Sequence, residues 1–179
     1  MPTEKRVLCV EIGARPEDLY KAWLDGRTHG AMTGASASID ARVGGAHAAW
    51  DGYISGQLTE LVPNERIAMT WRTTEFGDAP DSTLEVLFEP VDEESTLLTL
   101  VHDAIPEGQA EKYQQGWADF YFDPMLAYFG KRARASRPKK AKGKAASASD
   151  APTEPLETAS ASPEPHAEAE PAKPKKANN

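Results

Sequence analysis

Cys9 is the only cysteine among 179 residues, so no intramolecular disulfide can staple this chain. No segment approaches the roughly 20 apolar residues that a membrane-spanning helix needs. The opening "MPTEKRVLCVEIGA" also lacks the long apolar stretch of a secretory signal. A cytoplasmic location without membrane contact is the expectation. The short motifs of common chemistry are missing too: there is no GxSxG, GxGxxG, Walker loop or HExxH. His29, His47, His102 and His166 stand at no ligand-pair spacing, so neither a metal nor another cofactor is expected.

Aromatic residues stop at Phe129. After Gly130 there is no aromatic, isoleucine or valine, and Leu156 is the only large aliphatic side chain. A segment such as "ASDAPTEPLETASASPEPHAEAEPAKPKK" cannot bury enough apolar surface to offset its backbone entropy. The sequence therefore divides into a folded domain, residues 1–134, and a disordered Ala/Pro/Lys/Glu-rich tail, residues 135–179. Charge divides near the same place. Up to Gly130 there are 9 Lys and Arg against 22 Asp and Glu, a net of −13; beyond it the counts are 11 and 6, a net of +5. The acidic body is a poor platform for nucleic acid, so any nonspecific polyanion contact belongs to the basic run "KRARASRPKKAKGK". That run has no aromatic to stack on bases, and a solvated linker is its simpler reading.

What is present is periodicity. "KRVLCVEIGA" reads as a first strand. "RPEDLYKAWLDG" reads as a helix, with Pro16 at its first position, Glu17 and Asp18 complementing the dipole, Leu19 and Trp23 on one face, and Gly26 as its stop. "RTHGAMTGA" suits a short second helix. From Ser36 the period becomes two: "SASIDARV" and "AHAAW" flank a Gly44-Gly45 turn, and Asp51-Gly52 and Pro63-Asn64 mark two more turns. The strands between and after them place Ile54 and Leu58, then Ile67, Met69 and Trp71, then Leu84, Val86 and Phe88, on a dry face. "STLLTLVHD" is apolar on both sides; Leu98 and Leu100 facing inward would carry His102 with them. Arg72 falls on the wet face, where Glu60 or Glu85 is its expected neighbour.

The segment from Ile105 to Ala133 reads as one long helix, with Trp117, Tyr121, Phe122, Met125, Tyr128 and Phe129 in an apolar stripe. Pro124 should bend or loosen one turn of it. A sheet dry on one side and a helix with a broad apolar stripe bury both when the helix lies across the sheet. The fold class is therefore α+β, a helix-grip arrangement of about six or seven antiparallel strands around a long C-terminal helix, with one or two short helices after the first strand.

The order "PEDLYKAW", "VGG", "WDGYISGQLTELVPNERIAMTWR" and "IPEG…YQQGWADFYFDPMLAYFG" resembles the C-terminal domain of the activator of heat-shock protein 90 (Hsp90) ATPase, over roughly residues 5–131. That family sits in the START-like group with polyketide cyclases and lipid carriers. The resemblance implies a non-enzymatic binding domain with an Hsp90-type chaperone as partner. The group as a whole implies two alternatives, a carrier of a small hydrophobic ligand and a cyclase-like enzyme. Helix-grip folds often leave a gap between sheet and helix; Met69, Trp71, Phe88, Leu100, His102, Trp117 and Tyr121 are the candidate wall of such a cavity. His102 and Asp103 as base and orienter would suit a cyclase, but neighbours in a strand point to opposite faces. No catalytic residue is assigned.

Overall fold

The computed structural model describes residues 2–136, with side chains through Gly130. The expected disordered tail and its basic run lie outside the described residues, apart from the last turns of a helix that ends at Ser136.

Strand β1 (Thr3–Ile12) is followed by helix α1 (Pro16–Leu24) and helix α2 (Gly26–Thr33). Then come β2 (Ala37–Ile39), β3 (Ala46–Ala49), β4 (Ile54–Val62), β5 (Arg66–Thr73), a single 3-10 turn at Thr74–Phe76, β6 (Ser82–Pro90) and β7 (Thr96–Pro106). The described residues end with helix α3 (Ala110–Trp117), a wide turn over Ala118–Phe122 and helix α4 (Asp123–Ser136). All seven strands form one antiparallel sheet in the order β1-β7-β6-β5-β4-β3-β2. This is the α+β helix-grip architecture.

The two-residue period fixes the sheet's dry face. Ile67, Met69 and Trp71 on β5, Leu84, Val86 and Phe88 on β6, and Leu98, Leu100 and His102 on β7 are all buried, while their alternates are at least partly exposed. Against this face lie Leu19 and Trp23 of α1, Met32 of α2, and Trp117, Tyr121, Met125 and Phe129 of the C-terminal segment. Glu4 of β1 anchors that segment at its start: its carboxylate accepts the backbone N–H groups of Gly108 (2.8 Å) and Ala110 (3.2 Å), the role a capping side chain would play.

Three local readings need correction. Gly26 does not stop α1; it opens α2, whose N-cap Asp25 accepts the N–H of Thr28 at 2.7 Å. Glycine there serves proximity instead, because a Cβ would stand 2.8 Å from the carbonyl oxygen of Ala37. The final helix does not begin at Ile105, which is still in β7, and it is not continuous. At 118–122 it widens so that the N–H of Asp123 reaches back five residues to the carbonyl of Ala118. The next residue, Pro124, has no N–H to give, and a widened turn just before it relieves the crowding its ring would impose on a regular turn. Arg72, finally, pairs with Asp81 at 2.9 Å and donates to the Gly77 carbonyl, whereas Glu60 and Glu85 pair with Arg66. The register running from the turn sets Glu60 opposite Ala68, diagonal to Arg66, while Arg72 lies past the bulge between Leu58 and Glu60, opposite Ser55.

Candidate functional site

The inner face of β5, the end of β7 and the C-terminal segment converge on a cluster of rings. Trp71 packs edge-on against His102 (4.6 Å between centroids) and Tyr113 (5.0 Å), and lies tilted against Trp117 (5.7 Å); Trp117 packs on Tyr121 at 4.6 Å. Such pairs sit in the range where aromatic quadrupoles attract.

His102 is fully buried yet satisfied on both nitrogens. Ser82 donates its hydroxyl to the Trp71 carbonyl at 2.7 Å, so its oxygen is left to accept from His102 Nε2 at 2.8 Å. Trp117 donates its indole N–H to His102 Nδ1 at 3.2 Å. The ring is therefore neutral and protonated on Nε2. Burial pushes its pKa down to about 4, opposed by the charge of Asp103. Asp103 itself points outward to Lys5 at 2.8 Å, and the left-handed backbone of Ala104 (φ 57°) follows it. A base with Asp103 as its orienter is not assembled here, in keeping with the alternation of a strand.

One small cavity, about 20 Å³, lies in this core beneath α1, α2 and the wide turn. Of the seven side chains singled out in the sequence, Met69, Trp71, Trp117 and Tyr121 line it. Phe88, Leu100 and His102 do not: Phe88 packs edge-on against Tyr20 at 5.9 Å, and the other two are fully buried in the core. The volume is that of about one water molecule.

Two histidines that the sequence did not single out share the cavity wall, His29 of α2 and His47 of β3. His29 donates from Nδ1 to the Trp23 carbonyl at 2.9 Å, which leaves Nε2 a bare acceptor, buried and without a hydrogen-bond partner among the described residues. His47 donates from Nε2 to the Thr70 carbonyl at 2.9 Å, two strands away. Its ring crosses Gly56, which faces it in the neighbouring strand; any Cβ there would collide with both the ring and the Thr70 carbonyl. Burial lowers the pKa of both histidines, the backbone hydrogen bonds opposing it. Burial likewise raises that of the Tyr121 phenol. Among the described residues no group of His, Cys, Asp and Glu side chains is arranged to hold a metal ion, and no helix is long and apolar enough to cross a membrane.

The family model described as "Activator of Hsp90 ATPase homolog 1-like protein" matches residues 13–130, which is most of this fold and all of its ring cluster. The chain belongs to this family. Activator of 90 kDa heat shock protein ATPase homolog 1 from Mus musculus is 33% identical over 134 residues, covering 75% of this chain and 39% of the mouse protein. The human protein of the same name matches over the same shares. The family domain here thus spans about two fifths of these curated relatives. Among solved structures, an HSP90 activator from Plasmodium falciparum superposes with a TM-score of 0.67 at 28% identity, over 70% of this chain and 96% of that one. A Micromonospora echinospora protein shares the fold, with a TM-score of 0.61 at 20% identity over 74% of this chain and 80% of that one.

The family domain's dominant chemistry is therefore a packed aromatic core with satisfied or neutral histidines. The signals for His29 and His47 were in the sequence but indirect. Gly26 and Gly30 of α2 and Gly34 just after it recur every fourth residue, and Gly26 and Gly30 let the helix approach the 35–37 backbone closely. Gly56 marks the gap that His47 fills.

Proposed function

We propose that this domain works by binding a protein, an Hsp90-type chaperone in the cytoplasm, and carries out no turnover of its own. The observation that carries this reading is membership of the activator family across residues 13–130, together with 33% identity to activators over 134 residues. The chemistry of the core agrees with it. The buried histidines are held neutral, His102 is satisfied by Ser82 and Trp117, and Asp103 is turned away toward Lys5. An acidic body, net −13 to Gly130, would meet such a partner through long-range attraction, which salt weakens. The contact proposed is that of this domain alone, with an expected affinity on the order of micromolar or weaker and slight stimulation of the chaperone's ATPase.

The carrier alternative is less well supported, since a cavity of about 20 Å³ has no room for a hydrophobic molecule unless the core opens. The test is the steady-state ATPase rate of the chaperone with and without the full chain. A modest rise, lost at high salt, supports the reading; a chaperone rate unaffected by saturating chain, with no complex formed, counts against it.

A further inference from the structure

Two unusual backbone segments meet at one place on the surface. Trp50 and Asp51 both adopt left-handed backbone, φ 54° at each, and Gly52 continues it at 84°. A bulky residue is rarely found there, because its Cβ crowds the following carbonyl. Across from it, the wide turn at 118–122 carries Phe120 out of the buried stripe, leaving it 42% exposed beside a fully packed Tyr121. The two rings meet edge to face, 5.1 Å between centroids. The result is an aromatic pair at the surface, the kind of anchor that dominates protein interfaces.

Its rim is acidic and lacks countercharge. Asp51 follows Trp50 and Asp119 precedes Phe120 in the chain, Asp123 stands three residues after Phe120, and all three are exposed. Asp51 accepts from the Ser36 hydroxyl at 2.6 Å and Asp119 from the Gln115 amide at 2.8 Å, both neutral donors. None of the three takes part in any ion pair among the described residues. The cations that do form pairs, such as Arg66, Arg72 and Lys112, are matched to carboxylates elsewhere.

We propose that the Trp50–Phe120 pair with its rim of Asp51, Asp119 and Asp123 is a docking surface for a basic protein segment bearing an apolar side chain between lysines or arginines. The proposal rests on the binding-domain reading above and names its contact. The apolar residue covers the exposed ring edges, and the flanking cations meet three carboxylates that would otherwise be desolvated without compensation. The aliphatic stems and cationic heads of lysine and arginine also suit an aromatic face. Sign excludes nucleic acid from this patch, and it disfavours a second copy of the same acidic face.

The test begins with amide and indole NMR shifts of the full-length chain. It is titrated with a short capped peptide, a leucine pair flanked by lysines, and with the analogue carrying glutamates in place of the lysines. The lysine peptide should shift the Trp50 indole N–H and the amides of residues 119–123; the glutamate analogue should not. F120A, which removes an exposed ring, should weaken the peptide by about fivefold or more. D119N/D123N should do so too, while the distant pair E89Q/E93Q changes affinity less than twofold or so. Shifts centred elsewhere, or equal losses from the distant pair, overturn the docking surface. The same variants are then measured against the chaperone. If the unaltered chain ignores the chaperone but the peptide behaves as stated, the chaperone reading falls and the docking surface stands. If the chaperone binds F120A and D119N/D123N as tightly as the unaltered chain, the docking surface falls and the chaperone reading stands.

Discussion

The indole N–H of Trp117 donates to Nδ1 of His102 across 3.2 Å, and so marks that nitrogen as the one without a proton. Protonating it would set two N–H groups against each other inside a dry core. Burial already holds the His102 pKa near 4, below its ordinary 6.5, and His29 and His47 are shifted the same way. The unfolded chain takes up these protons at the ordinary pKa and the folded chain does not. The stabilisation is thus complete above about pH 6.5 and is lost progressively as pH falls toward 4. For His102 alone the loss is of the order of 3 kcal/mol. Urea unfolding between pH 7 and 4.5 measures it; H102Q should flatten that slope by about one proton's worth. A pH-independent midpoint across this range would contradict the burial of all three.

Trp117 also carries much of the contact between helix and sheet, packing on Trp71 and Tyr121 while 3% exposed. W117A should cost about 3–5 kcal/mol of unfolding free energy. W117F, which keeps a ring and drops the N–H, should cost clearly less and raise the His102 pKa. A loss near zero for W117A would mean the indole lines open space.

The strand pattern around these residues was legible from spacing alone. Ile67, Met69 and Trp71 alternate with Ala68, Thr70 and Arg72, and a one-residue slip would have exposed the first set. Leu98 and Leu100 took His102 inward by the same rule, in a strand whose two faces looked equally apolar. Register was not legible: the strand pairing that sets Glu60 opposite Ala68 and Arg72 opposite Ser55 decides that Arg66, and not Arg72, meets Glu60. Pro124 signalled a disturbed helix, but the widened turn depends on which carbonyl Asp123 finds, a three-dimensional outcome. At the candidate site, bulk and hydrophobicity pointed to Met69, Trp71, Trp117 and Tyr121. The polar part of the wall, His29 and His47, was hidden behind glycines whose purpose is visible only when the backbones they bring together are in place.

Gly56 makes a sharper version of that point. G56A would push its Cβ into the His47 ring and the Thr70 carbonyl, and should destabilise by about 2–4 kcal/mol through overpacking and a lost hydrogen bond. H47A in the same background should recover part of the loss, since the ring is one of the two obstacles. Thermal unfolding of the single and double variants gives the coupling; strict additivity would contradict a direct contact.

Residues beyond Ser136 contain no aromatic side chain and one large aliphatic, Leu156, and are expected to add nothing to the core. A chain ending at Ser136 should therefore unfold at the same urea midpoint and with the same slope as the full chain. A midpoint lowered by more than about 0.3 M, or roughly 0.5 kcal/mol, would mean that the tail buries part of the domain.

The most direct measurement is a calorimetric or fluorescence titration of an Hsp90-type chaperone from the same cell with the full chain, at low and at physiological salt. Binding should appear at on the order of micromolar or weaker affinity and should weaken severalfold as salt rises, since an acidic domain net −13 to Gly130 is being screened. No detectable complex at ~100 µM under either condition would contradict a chaperone-binding function for this domain.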